Sequence, residues 1–252
     1  LIGHGAGEAG ARLTVVGDMT TEPSSGINVD ARGFAFGQGP GSFPTVAGGN
    51  RGAGYGGRGG DGLTSLGGLC YGSVETPTDL GSGGPPDCGS AGRGGGAFQL
   101  TVGGTLVNNG VITASGGTRG GTCGSGGASG GSILIETSEL LGNGLIAANG
   151  ADGNRTDAGG GGGGRVAVHY ETSSYTGAIT AYGGNAANAT NQVRRAGAGT
   201  VWLQPGSGLA TLIVDNGGFA GQRTDFAGDQ TFAANLVVDN EGSISHPMTT
   251  PD

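Results

Sequence analysis

The side chains able to do chemistry are few and scattered. The acids with a claim on catalysis are Glu136, Glu171, Asp215 and Asp239. Hydrolysis or elimination on a polysaccharide needs two carboxylates held about 5–10 Å apart, or a cation with a basic proton acceptor. Measured from the nearest repeated isoleucine, Glu136 lies ten residues before and Glu171 eight before, while Asp215 lies two after. These three therefore form no stacked column. Gly127-Ala128-Ser129-Gly130-Gly131 spells G-x-S-x-G, yet no strand-then-helix pattern surrounds it, as a nucleophile elbow requires. His4, His169 and His246 are far apart, and no C-x-x-C occurs, so zinc is not expected. The expectation is that the chain is not an enzyme and uses no cofactor.

Gly56 to Thr64, GGRGGDGLT, fits a calcium-binding nonapeptide and makes Asp61 a candidate calcium ligand. Only one copy is present, whereas the motif needs consecutive turns to complete the shell. Asp152 and Asp157 form a second acidic loop. Cys70 and Cys88 enclose a short loop and could form a disulfide in an oxidising compartment, with Cys123 left over. Asn154 and Asn188 both sit in N-x-T sequons.

Composition narrows the classes further. Of 252 residues, 64 are glycine; 19 acids outweigh 11 arginines, no lysine occurs, and the net charge is −8. Phosphate backbones and anionic membranes repel such a chain, so no nucleic acid partner is expected despite Arg-Gly-Gly triplets at 58, 93 and 119. No apolar run reaches the ~18 residues of a membrane helix, so no membrane span is expected. Collagen is excluded because glycine keeps no strict third-residue register. The chain begins at Leu1 with no signal segment, which reads as a processed product or a piece of something larger.

The elements that must position these residues announce themselves by repetition. Residues 98–117, 132–150, 165–184 and 200–218 share one pattern: alternating aliphatics, a polar stretch, a second aliphatic burst, then a glycine pair. The second-burst isoleucines Ile112, Ile146, Ile179 and Ile213 are spaced by 34, 33 and 34 residues. The first-burst anchors Leu100, Ile133, Val166 and Val201 are spaced by 33, 33 and 35. A fifth copy lies at 11–33 and a weaker one at 234–245. Period-two alternation predicts strands with one buried face. Asn109-Gly110, Asn143-Gly144 and Thr176-Gly177 mark a corner before three of the isoleucines.

The fold expected is all-β: a single parallel β-helix, or β-solenoid, over residues 1–252, with Ile112, Ile146, Ile179 and Ile213 stacked in one column. The alternative is an antiparallel β-sandwich whose hairpins close at Asn-Gly. Glycine-rich insertions follow each second strand, and the longest, about 34–96, is expected to project from one edge. Those tracts are either flexible linkers or extended segments of polyproline-II type, with arginines donating to bare carbonyls.

The pattern of Leu100 to Gly116 resembles the coils of filamentous-haemagglutinin-like and autotransporter-like β-helix surface proteins. Blocks such as GGGGGGRVAVHY are similar to those of large glycine-rich bacterial surface proteins. The resemblance implies a right-handed coil with structural or adhesive duty at the cell surface or outside the cell. Neither end of the repeat offers a polar capping helix, so copies are expected to stack into a filament or the chain to form part of a larger rod, with a glycan or cell-surface component as a further partner. The rival expectation is a carbohydrate-active β-helix enzyme, a polysaccharide lyase or hydrolase.

Overall fold

A computed structural model describes residues 10–42, 50–85, 91–118, 124–186, 192–226 and 230–245. Within them the chain is nearly all-β, with no α-helix and one 3-10 turn at Gln192–Arg194. Fourteen strands run in order: β1 (Ala11–Val15), β2 (Met19–Thr21), β3 (Gly26–Asn28), β4 (Ala97–Asn108), β5 (Val111–Thr113), β6 (Ser132–Leu141) and β7 (Leu145–Ala147). They continue as β8 (Arg165–Ser173), β9 (Ala178–Thr180), β10 (Thr200–Pro205), β11 (Ala210–Asp215), β12 (Thr224–Asp225), β13 (Ala234–Asp239) and β14 (Ile244–Ser245). The larger sheet has the order β1-β4-β6-β8-β10-β11-β13, with β2 also against β4; the second has the order β3-β5-β7-β9. All pairs are parallel except β10 with β11.

Long and short strands alternate along the chain because the sequence alternates two kinds of apolar burst. On the larger sheet, Ala11, Phe98, Ile133, Val166 and Val201 stand in one row and Leu13, Leu100, Ile135, Val168 and Leu203 in the next. On the second sheet, Ile27, Ile112, Ile146 and Ile179 stand opposite one another. Both sets pack into one core, in which Phe98, Ile112, Ile133, Ile146 and Val166 are fully buried. The opposite faces of the same strands carry a smaller core of Val74, Leu134, Ala167, Trp202, Ala210 and Leu212. Trp202 thus lies inside, its ring 5.9 Å from that of Phe232.

Three expectations need correction. Ile213 does not join the isoleucine column: it lies on β11 opposite Val201. After β10 the chain turns back at Gly206–Leu209, where Gly208 takes φ +99°, and so never reaches the second sheet. In the first-burst row, Leu100 stands opposite Ile135, and the partner of Ile133 is Phe98. Finally, the long segment does not simply project: the backbones of Ala53, Gly56, Arg58, Gly60, Ser82 and Gly95 are bonded to the glycine segments that follow β5, β7 and β9.

The corner after each short strand is closed by a ladder of side chains. Three residues beyond Ile27, Ile112, Ile146 and Ile179 stand Asp30, Ser115, Asn149 and Tyr182. Ser115 N–H donates to Asp30 Oδ1 (2.6 Å), Asn149 N–H to Ser115 Oγ (3.2 Å) and Tyr182 N–H to Asn149 Oδ1 (2.8 Å). Each short polar side chain accepts the amide of the next layer, so the turn that leaves the sheet keeps its backbone satisfied.

Truncating Ile146 to alanine should cost about 2–5 kcal/mol in chemical denaturation, because its cavity is walled by Ile112, Ile179 and the larger sheet. Val16→Ala, at a side chain 91% exposed, should change stability by no more than about 0.5 kcal/mol. Equal losses at the two positions would contradict this core.

Candidate functional site

The glycine-rich segments form a third layer beside the two sheets, and it is the most unusual part of the molecule. In Gly159–Gly164 no amide bonds within the tract. Gly159 and Gly162 donate to Asn50 and Ala53, Gly160 and Gly163 to Arg194 and Gly197, and Gly161 and Gly164 to Ala151 and Ala148, at 2.6–3.0 Å. The carbonyls repeat the rule. Those of 159 and 162 accept from Gly127 and Gly130, that of 160 from Gly60, that of 163 from Gly56 and Gly57, and those of 161 and 164 from Gly184 and Thr200. Partners that recur every third residue are the signature of a three-residue turn. The tract is an extended polyproline-II-type helix, which makes no internal hydrogen bonds.

Glycine is required there for room. A Cβ on Gly159, Gly160, Gly161, Gly162, Gly163 or Gly164 would overlap the carbonyl oxygen of Gly60, Gly184, Ala128, Gly57, Ala181 or Gly131 respectively. The same rule extends outward: Gly68 and Tyr71 donate to Gly52 and Tyr55, again three residues apart.

Arg165 pins this layer to the larger sheet. It opens β8 at 2% exposure, its Nε donates to the Tyr71 carbonyl (2.9 Å) and its Nη1 to Thr200 Oγ1 (3.0 Å). The guanidinium lies 5.7 Å from the centre of the Tyr55 ring, which itself meets Tyr71 at 4.6 Å. Tyr55 Oη and Ser132 Oγ are 2.6 Å apart, and Ser132 Oγ donates to the Asp79 carbonyl. A buried cation is tolerable because a carbonyl, a hydroxyl and a ring face replace water. Burial pushes the Tyr55 phenol up to about 12, against the opposing pull of Arg165, and raises Tyr71 well above its ordinary value.

Beside them Cys70 holds a free thiol, raised to about 11 chiefly by burial, and its sulfur accepts the Asp225 amide at 3.4 Å. Asp225 also pairs with Arg223 (2.7 Å) and Arg58 (3.4 Å). Cys88, the expected disulfide partner, and Cys123 lie outside the described residues, as does Asn188.

The other candidates are dispersed. Asp61 Oδ1 accepts the Gly67 amide and so closes its own loop. Among the described residues no three His, Cys, Asp or Glu side chains gather as a metal would need. Asn154 Oδ1 accepts the Ser125 amide at 2.6 Å. Asp152 Oδ1 accepts the Asn185 amide, and Asp157 Oδ2 the Asn50 side-chain amide. Glu136 stands opposite His169, not Glu171, in a row Thr14, Thr101, Glu136, His169, Gln204 on the outward face of the larger sheet. Thr101 Oγ1 donates to Glu136, and His169 Nε2 lies 2.9 Å from the Glu75 carbonyl. Two shallow troughs of about 310 and 370 Å³ share Glu136 along this row.

One pair escaped the sequence reading: Asp215 and Asp239 face each other across β11 and β13. The 24-residue spacing of that last repeat differs from the 33–35 of the others, which hid it. Asp215 accepts from the Gly217 amide and from Asn240 Nδ2, so it caps a turn.

Comparison with protein-family models, with the curated proteins and with the solved structures finds no match.

Two outcomes follow. Gly161→Ala should destabilise by at least about 1–3 kcal/mol, since its methyl meets the Ala128 backbone, whereas Gly17→Ala, with open space around it, should cost little. The raised tyrosines set an alkaline limit. With folded values above the unfolded value near 10, their contribution is complete below about pH 10 and is lost as pH rises toward 12. Ionisation of Tyr55 and Tyr71 should therefore appear together with unfolding above about pH 10. Free titration of these two tyrosines in a folded chain would contradict the buried node.

Proposed function

We propose that the chain is a structural or adhesive element of the cell surface or extracellular space, built as a parallel β-helix with glycine helices as its third face. The observation that carries this reading is the repeated three-part unit. A long strand, a corner, a short strand and a glycine segment recur, and β6 and β8 lie in register at an offset of 33 residues. Register of that kind supports winding in which each turn lies one strand spacing beyond the last. The glycine layer supports a load-bearing duty, because its backbone is cross-linked on several sides. Edges of β1 and β13 that no strand pairs among the described residues support self-association, with a glycan or cell-surface component as a further partner.

The rival reading, a polysaccharide lyase or hydrolase, is favoured by one observation: Glu136, His169 and Gln204 line up on an outward trough beside Glu171. The two separate in one experiment. The full chain is incubated with pectin, alginate and chitin, with and without calcium, and scored for new reducing ends or unsaturated products. No products are expected. Turnover abolished by Glu136→Gln or Glu171→Ala would replace the structural reading with the enzymatic one.

A further inference from the structure

The reversal at Gly206–Leu209 leaves an unfinished surface at one end of the molecule. Strand β13 is hydrogen-bonded to β11 on one side only, and among the described residues nothing pairs with its other edge. Its side chains are open on both faces, with Leu236 at 52%, Val237 at 40% and Val238 at 43% exposure, and Ile244 of β14 at 38%. On the face shared with Trp202 an apolar groove of about 430 Å³ runs into the smaller core, lined by Leu212, Phe226, Phe232, Ala234, Leu236 and Ile244. A free strand edge, exposed aliphatics and an open core at one place are what a strand-adding partner covers.

We infer that this end is an isologous interface, in which β13 pairs antiparallel with β13 of a second copy about a two-fold axis through Val237. The sequence of the strand is self-complementary in that register. Val237 meets Val237, Leu236 meets Val238, and Asn235 meets Asp239, so the one carboxylate on the strand faces an amide instead of its own copy. Residues directly opposite in an antiparallel pair point to the same face, and all three pairings keep each face matched. The two-fold also brings the two grooves together on one side, apolar against apolar. Joining β13 to the β1 end of another copy does not achieve this. In the register of the larger sheet the row of Leu236 and Leu212 continues through Trp202, Ala167, Leu134 and Gln99 to Arg12, which is exposed with Thr14 beside it. A head-to-tail joint would set that polar edge on the groove. The closed pairing yields a defined dimer and the commonest symmetry of soluble assemblies. It does not depend on whether the chain acts as scaffold or enzyme.

Analytical ultracentrifugation of the full chain over a wide concentration range is the test, combined with oxidation of cysteine variants. The expected result is a monomer–dimer equilibrium that Val237→Lys weakens by about tenfold or more, since it places two like charges directly opposite, whereas Val16→Lys at the other end leaves it unchanged. Val237→Cys should form an intermolecular disulfide beyond any seen in the parent chain, because opposed Cα atoms in an antiparallel pair stand roughly 4.5–5.5 Å apart, within the span a disulfide bridges. Leu236→Cys, which faces Val238, should not. Circular dichroism of each variant checks that it folds. A monomer at every concentration would overturn the inference, as would growth into open-ended assemblies indifferent to Val237→Lys, or equal cross-linking of the two cysteine variants.

Discussion

Every backbone amide and carbonyl in the glycine layer must find a partner outside its own segment, and the rest of the structure depends on that demand. A polyproline-II-type helix satisfies none of its polar groups internally, so it can be buried only in contact with neighbours on several sides. Gly159–Gly164 meets the condition through segments as distant in sequence as Asn50–Ala53, Gly127–Gly130 and Arg194–Gly197. Such closeness excludes side chains where carbonyls approach, and alanine is frequent among the remaining positions: Ala128, Ala148, Ala158, Ala181, Ala196 and Ala198 are all buried. The long segment between β3 and β4 is therefore an integral part of the fold. It supplies amides and carbonyls that the later repeats would otherwise leave unpaired.

The two sheets and the glycine layer constrain one another through a small number of side chains. Arg165 reaches from the first residue of β8 to Tyr71 and Thr200, and Ser132, at the start of β6, meets Tyr55. Both residues begin long strands, where the chain passes from glycine helix to sheet. At the opposite passage, from short strand to glycine helix, Asp30, Ser115 and Asn149 take the amides of successive layers. Polar side chains thus hold the two junctions, and apolar ones line the inward faces of the strands between them.

Much of this was legible in the sequence, and the limits have physical causes. The isoleucine period revealed three of four column members, because parallel strands in register repeat the same side chain at the same offset. Ile213 kept the period while leaving the column: Pro205-Gly206-Ser207-Gly208 ends β10 early and reverses the chain, and spacing alone carries no direction. The 33-residue spacing of Leu100 and Ile133 differs by two from the pairing of Leu100 with Ile135, and a shift of two preserves the buried face and so leaves no trace in the hydrophobic pattern. The glycine layer was harder still. Without side chains there is no periodicity to read, and both an extended helix and a loose linker satisfy the composition. The resemblance to haemagglutinin-like coils rests on the strands alone and says nothing of that layer.

The reversal after β10 changes how the larger sheet is built. Up to β10 each long strand runs parallel to the last and the core fills one face of the larger sheet. Beyond it, β11 and β13 run the other way, and Leu212, Phe226 and Phe232 fill the opposite face around Trp202. Strands β11 and β13 therefore contribute to a second, smaller core, to which β6 and β8 add Leu134 and Ala167, and their offset falls to 24 residues because no long glycine segment has to be threaded between them. The glycine layer stops at the same place: Thr224 reaches the Ala198 carbonyl with its hydroxyl, closing that layer with a side chain where a further glycine amide would otherwise stand. Strand direction and repeat length change together at that one turn, and β13 is left with exposed apolar residues on both faces.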